Sequence, residues 1–143
     1  MFRWIQPGRW IGLLLVLATP VWAQGNGHSK AELMENHPNP FFPSTTIPFE
    51  IHQDVCARGH QPVVTINVYN VLVQVVAAPT IQMSDKQVPV QALPLGCGSH
   101  SAVWDGRLTE GNRDAPDGVY YYQLIVDGER ISTRKMIVKR IRR

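Results

Sequence analysis

Five histidines are the first side chains with the potential for chemistry, because an imidazole ring can hold a metal ion or move a proton. They are His28, His37, His52, His60 and His100. None stands three or four residues from another, the spacing that brings two imidazoles of one helix to the same metal ion. Structural zinc takes four convergent donors. We therefore expect no metal site built from these histidines.

Residues 105 to 117 are a second candidate, because this stretch is rich in the oxygen donors that calcium prefers. The donors are Asp105, Glu110, Asn112, Asp114 and Asp117. Their spacing matches no known calcium-binding loop, and Asp, Asn and Gly are also the usual residues of tight turns. We interpret the stretch as a turn-forming loop and keep calcium binding as the alternative.

Motifs for covalent or phosphate chemistry are missing from the sequence. No Gly-x-Ser-x-Gly sequence marks a nucleophilic serine, and no glycine-rich loop precedes a predicted helix to hold a phosphate. We predict that the chain is not an enzyme and has no catalytic residue, cofactor or small-molecule substrate. The alternative is a catalytic loop hidden in residues 54–62 or 105–118.

Residues 1–23 are typical of a secretory signal peptide that is removed after Ala23. Arg3 and Arg9 precede an apolar run, residues 11–18, and Val21 and Ala23 stand at the small-residue positions before the cut. A membrane anchor is the alternative, although the run is short for crossing a bilayer. We predict a mature chain without a transmembrane segment, secreted or held at the cell surface or in the periplasm.

The expected export also bears on the oxidation state of the two cysteines, Cys56 and Cys97. In an oxidising compartment an even number of cysteines favours a disulfide, so we predict a Cys56–Cys97 bridge. Two free or intermolecularly paired thiols are the alternative. A redox role is disfavoured because the two residues do not form a Cys-x-x-Cys pair.

The expected mature chain has a small net charge, and its basic residues concentrate at one end. Removing residues 1–23 takes away Arg3 and Arg9, which lowers the formal net charge from +3 to +1. Basic residues then concentrate in the closing strand and in a tail at residues 140–143. We expect no nucleic-acid binding. The tail is either a solvated terminus or a contact for an acidic partner, an anionic surface or a secretion component.

The candidate side chains described above are carried by short segments in which apolar and polar residues alternate. The chain is 44% apolar and has 11 Pro and 11 Gly, which favours frequent turns over long helices. Alternation predicts seven strands, at residues 47–51, 64–69, 73–78, 88–90, 100–104, 119–126 and 130–139. We predict an all-β fold, an immunoglobulin-like sandwich over residues 35–139, after a flexible leader at residues 24–34.

Three details of the strands can be read from single residues. Pro48 and Pro89 place their strands at sheet edges, because proline has no N–H for a ladder. Asp127–Gly128 is a hairpin signal between the last two strands. The alternation of the closing strand slips near Arg134–Lys135, which predicts a β-bulge there.

Five motifs in order resemble a known family. They are NHPNPFFPSTTI (36–47), VYNVL (68–72), GSHSAVWDG (98–106), GVYYYQL (118–124) and RKMIVK (134–139). Together they resemble the immunoglobulin-like domains of flagellar hook-capping proteins and the related C-terminal sorting domains of type IX secretion. Val73 stands where that family has Gly, and Phe42 where it usually has Asn.

The recurring residues of these motifs have roles in specifying the fold. The Trp104 indole buries a large area and needs a partner for its N–H, and the Tyr rings point inward with their hydroxyls at a rim. The expected set is Pro40, Phe41, Trp104, Asp105, Gly106, Gly118, Tyr120 and Tyr122. We predict a non-catalytic exported module that acts in protein–protein interaction with an extracytoplasmic partner or as a structural component outside the cytoplasm. The alternative is a sorting or surface-anchoring domain that engages secretion machinery.

Overall fold

Ten short strands make up about half of the part of the chain that the computed structural model describes, residues 27–141. The predicted signal peptide, residues 24–26 and residues 142–143 lie outside this part. The strands are β1 (Ala31–Leu33), β2 (Thr45–Ile51), β3 (Val63–Tyr69), β4 (Val75–Ala77), β5 (Thr80–Met83), β6 (Lys86–Pro89), β7 (Leu93–Pro94), β8 (Gly98–Trp104), β9 (Gly118–Val126) and β10 (Glu129–Val138). Short 3₁₀ segments occur at Gln53–Gly59 and Glu110–Asn112.

The strands form two antiparallel sheets. The first sheet has the order β1-β2-β8-β5-β6, and the second has the order β10-β9-β3-β4 with β7 also paired to β3. Apolar side chains alternate inward along β2, β3, β8 and β9, so both sheets bury one face against the other. This arrangement confirms the predicted all-β fold, a sandwich of immunoglobulin-like type.

The core contains the side chains that alternation assigned to it. Along β9, Tyr120, Tyr122, Leu124 and Val126 are all buried, and Trp104 of β8 is among the largest fully buried side chains. Burial of this apolar surface is the main stabilising contribution to the fold.

Three strands are additional to the seven predicted ones. They are β1, β5 and β7, with three, four and two residues, too short for a visible alternation. The first of them corrects the prediction that residues 24–34 are a flexible leader. Ala31 and Leu33 are each 2% exposed and pair with β2, so the sandwich begins at Ala31.

Pro48 does not lie on an edge strand, contrary to the prediction. Its strand β2 is flanked by β1 and β8. The paired part of β1 ends opposite Phe49, so the missing N–H of Pro48 costs no hydrogen bond between β1 and β2. The Pro48 carbonyl faces the same side and accepts the Met34 N–H at 3.0 Å. The prediction for Pro89 is confirmed, since β6 is the last strand of its sheet.

The bulge in β10 lies earlier than predicted. The register between β10 and β9 shifts between Arg130 and Ser132, which makes Ile131 the extra residue. The prediction of a bulge near Arg134–Lys135 was wrong, because the strand has already changed phase by Ser132. Arg134 shares the inward side with Met136, and its guanidinium Nε donates to the Leu33 carbonyl at 2.7 Å.

Candidate functional site

Trp104 is the centre of an aromatic cluster at one end of the sandwich. Its ring meets Phe41 and Tyr120 edge to face, each with 5.4 Å between ring centroids. The indole N–H donates to the Arg107 carbonyl at 2.9 Å, and the Tyr120 hydroxyl donates to the Pro116 carbonyl at 2.9 Å. Both polar groups are used to hold the loop after β8 onto the core, a structural role.

The turn after Trp104 depends on Asp105 and Gly106. The Asp105 carboxylate accepts the Arg107 N–H at 3.0 Å, which closes a tight turn. Gly106 has a φ of +69°, and a Cβ there would lie 2.5 Å from the Pro43 carbonyl oxygen. Any larger residue at Gly106 would therefore clash with backbone.

Tyr122 joins the start of the domain to its core. The hydroxyl donates to the Met34 carbonyl at 2.8 Å and accepts the Asn36 N–H at 2.9 Å. Burial raises the pKa of Tyr122 above its ordinary value, so the side chain stays a neutral donor.

The opening and closing motifs of the sequence pack against each other. The Phe41 N–H donates to the Ile137 carbonyl at 2.9 Å, and the Lys139 N–H donates to the Phe41 carbonyl at 3.0 Å. Pro40 itself is exposed and precedes this contact, while Gly118 pairs with Val138 on the other side of β10. Residues 39–41 therefore cover the last part of the β10 edge.

Cys56 and Cys97 form a disulfide, in agreement with the prediction. The S–S distance is 1.97 Å and the Cα atoms are 6.1 Å apart. The bond joins the 3₁₀ segment at Gln53–Gly59 to the residue just before β8, across 41 positions of sequence. It closes one end of the first sheet.

Three of the five candidate cation ligands of residues 105–117, namely Asp105, Asp114 and Asp117, are engaged with protein groups. Asp114 lies 3.6 Å from the Arg107 guanidinium and 3.4 Å from that of Arg140, and Asp117 accepts the Arg140 N–H at 3.2 Å. Between residues 27 and 141, His, Cys, Asp and Glu side chains do not gather in threes as a metal site requires. These contacts favour the turn interpretation of the loop.

His60 and Asp127 form a histidine–carboxylate pair with a structural explanation. The His60 Nε2 lies 2.9 Å from one carboxylate oxygen, and the other oxygen accepts the Val63 N–H at 2.9 Å. The Val63 N–H, followed by the His60 hydrogen bond, lowers the pKa of Asp127. The pair ties the β9–β10 turn to the start of β3.

Arg140 belongs to the domain and not to a solvated tail, unlike the predicted tail at residues 140–143. Its guanidinium donates to the Ala115 carbonyl at 3.1 Å and lies 5.2 Å from the Phe42 ring centroid. Ile141 is 88% exposed. Within residues 27–141, no helix is both long enough and apolar enough to cross a membrane.

One stretch of the β10 edge is open. The outward backbone groups of Ile137 and Lys139 bond to Asn39 and Phe41, and by strand parity those of Thr133 and Lys135 point the same way. Within residues 27–141, the outward N–H and C=O groups of Thr133 and Lys135 take part in no backbone or side-chain hydrogen bond. A groove of about 630 Å³ runs beside them, lined on its other side by Glu35, Asn36 and His37.

A turn between β3 and β4 exposes three consecutive apolar side chains. Val71, Leu72 and Val73 are 65%, 73% and 78% exposed. Sequence reasoning placed Val73 at the start of a strand and the two residues before it in a short connection, and it did not recognise the three together as an exposed apolar surface. The available signal was Val73, which replaces the Gly of the resembling family and has a φ of +60°.

Comparison with known proteins finds a distant structural similarity. No family model matches the sequence, and no curated protein matches it. Among solved structures, the chain is similar to the Pseudomonas fluorescens alkylpurine DNA glycosylase AlkC bound to DNA containing an abasic site analog. The identity is 14% and the TM-score is 0.49, over 79% of this chain and 31% of that chain. The chain thus spans about a third of the length of that protein.

Proposed function

We propose that this chain is a non-catalytic module that acts outside the cytoplasm by binding a protein partner along the open part of β10. The observation that carries the proposal is the unpaired outward backbone at Thr133 and Lys135. An edge of this kind can accept an extended segment of another protein, which adds a strand to the sheet.

The other sheet edges are less suited to strand addition. The β6 edge contains Pro89, which has no N–H to offer. The β4 edge is partly occupied, because the Thr109 N–H donates to the Val76 carbonyl at 2.9 Å. At β1, the Leu33 carbonyl already accepts the Arg134 guanidinium.

The groove beside β10 indicates what kind of segment would fit. Thr133 and Lys135 are exposed, and Glu35 and His37 are the exposed side chains of the opposite wall. An extended peptide lying there meets backbone donors and acceptors on one side and polar side chains on the other. Recognition would therefore depend mainly on main-chain hydrogen bonds, with Lys135 favouring a carboxylate in the partner.

Support for a non-catalytic role comes from how the polar side chains are used. Asp105, Asp127 and Tyr122 each hold backbone groups in place, and Asp114 pairs with arginine. Side chains engaged in this way stabilise the fold. The proposal therefore assigns the chain to recognition.

A proline substitution tests the binding edge. The N–H of Lys135 points away from β9, so Lys135→Pro removes the outward donor and leaves the ladder bonds to β9 in place. A photo-crosslinking residue at Thr133 should capture an extracytoplasmic protein, and Lys135→Pro should abolish the capture. Lys135→Ala, which keeps the N–H, is the matched control and should retain it.

The same crosslinker at Gln82 on the opposite sheet should capture nothing specific. The proposal is contradicted if Thr133 captures no protein under mild conditions, or if Lys135→Pro captures as well as Lys135→Ala.

Sorting or surface anchoring is a second candidate. It is favoured by the five motifs and by the position of Ile141, which follows β10 and is 88% exposed, so that a processing enzyme can reach it. The intact mass of the chain in cell-surface and periplasmic fractions tests this candidate. Cleavage or a mass increase at the surface supports it, and an unchanged chain confined to the periplasm counts against it.

A further inference from the structure

The turn between β3 and β4 carries an apolar tip, defined by Val71, Leu72 and Val73. These side chains are 65% to 78% exposed, and Val75 beside them is 53% exposed. Scattered single apolar residues on a surface need no explanation, but a contiguous group at a protruding turn marks an interaction site.

The apolar tip is held in one conformation by Asn70. The Asn70 side-chain oxygen accepts the N–H groups of Leu72 and Gln74, each at 3.0 Å. Its amide nitrogen donates to the Gln74 side chain at 2.8 Å, and its backbone carbonyl accepts the Val73 N–H at 3.0 Å. A turn ordered in this way presents its side chains without a further loss of entropy on binding.

Val73 is not the residue that the turn itself favours. Its φ of +60° lies in the left-handed region, which a β-branched side chain adopts at a cost and which glycine adopts freely. The fold gains no burial from a side chain that is 78% exposed. A valine here is explained if its hydrocarbon contacts something outside the chain.

The surroundings of the apolar tip are aromatic and mainly basic. On one side, Tyr69, Tyr121 and Arg130 line a groove with Val73. On the other side, Arg113 and one carboxylate, Glu110, line a groove with Val75. Two cations, Arg130 and Arg113, and one anion, Glu110, therefore line the grooves beside the apolar side chains.

We infer that the apolar tip docks onto an anionic phospholipid surface. The bilayer matches each part of the arrangement: apolar side chains enter the acyl boundary, tyrosines lie at the headgroup level, and cations pair with phosphates. The apolar tip is a different part of the surface from the open edge of β10, which it adjoins at Thr133, so the inference goes beyond the proposed binding of a protein segment. A second copy of the chain is disfavoured, because two such faces would bring like charges together.

Vesicle co-sedimentation tests the inference with the exported chain. The probe is a phosphatidylcholine vesicle with about 30% phosphatidylglycerol, compared with phosphatidylcholine alone. The chain should bind the anionic vesicles, and added salt should weaken the binding. Leu72→Ser should weaken it about tenfold or more, because the largest apolar side chain of the tip is lost.

Two variants separate binding from folding. Val73→Gly relieves the left-handed backbone, so its melting temperature should rise while its vesicle binding falls. Met83→Ser removes an exposed apolar side chain from the end of β5 on the other sheet and should bind as the unaltered chain does.

Three outcomes overturn the inference. They are no binding to anionic vesicles, equal binding by Leu72→Ser, and capture of a protein by a crosslinker at Leu72 without any vesicle binding. The last outcome would assign the tip to a protein pocket.

Discussion

At the scale of single residues, several polar side chains each have a specific partner that holds two parts of the chain together. Tyr122 joins β9 to the segment after β1, and Trp104 joins β8 to the following loop. Asp127 joins the β9–β10 turn to β3. Each contact fixes a loop relative to the sandwich, so these residues specify the fold and are sensitive to substitution.

Removing the Tyr122 hydroxyl should destabilise the domain. Tyr122→Phe keeps the ring but leaves the Met34 carbonyl and Asn36 N–H without their partner, which should lower the free energy of unfolding by about 1–3 kcal/mol. Denaturant unfolding measures the change. Tyr121→Phe, at the exposed neighbouring position, is the control and should change stability by only a few tenths of a kcal/mol. Equal stability of the two variants would contradict the role of Tyr122.

The charge on Asp127 should make a small, acid-sensitive contribution. Its pKa is lower in the folded chain than in the unfolded chain, so the contribution is present above the unfolded pKa and disappears as pH falls through the folded pKa. Asp127→Asn should lower the free energy of unfolding by only a few tenths of a kcal/mol near neutral pH, because solvent screens the contacts of the Asp127 carboxylate with the Val63 N–H and His60. Unfolding curves for both chains should converge in acid. A difference that persists at low pH would point to geometry instead of charge.

At the scale of elements, the edges of the sheets decide where the domain can be extended. Residues 39–41 cover the end of β10, the loop after β8 reaches β4, and Arg134 connects β10 to β1. These contacts leave the open stretch at Thr133 and Lys135. The disulfide acts on another element, since it fastens the 3₁₀ segment at Gln53–Gly59 to the start of β8.

The disulfide should contribute substantially to stability. Replacing Cys56 and Cys97 together with serine removes a bond that spans 41 positions. The free energy of unfolding should then fall by about 2–4 kcal/mol, because the unfolded chain regains freedom. Calorimetry of the oxidised chain with and without reductant gives the same comparison without mutation. Unchanged stability, or a disulfide-linked dimer on a non-reducing gel, would contradict the intramolecular bond.

At the scale of the whole molecule, the sequence predicts the fold well and the surfaces poorly. Alternation identifies Tyr120, Tyr122 and Trp104 as core because burial imposes a period of two on a strand. The same reasoning misses β1, whose three residues are too few to show a period, and misplaces the bulge because β10 has already changed phase by Ser132. The open edge and the apolar tip depend on which segments happen to cover which strands, and that is decided by tertiary packing.

Hydrogen exchange along β10, measured residue by residue by NMR, tests the open binding edge most directly. In the free chain, the amides of Thr133 and Lys135 should exchange quickly. Those of Ser132, Arg134 and Met136, which point toward β9, should be protected, as should those of Ile137 and Lys139. Slow exchange at Thr133 and Lys135 in the monomeric chain would mean that this edge is already covered, and it would contradict the account.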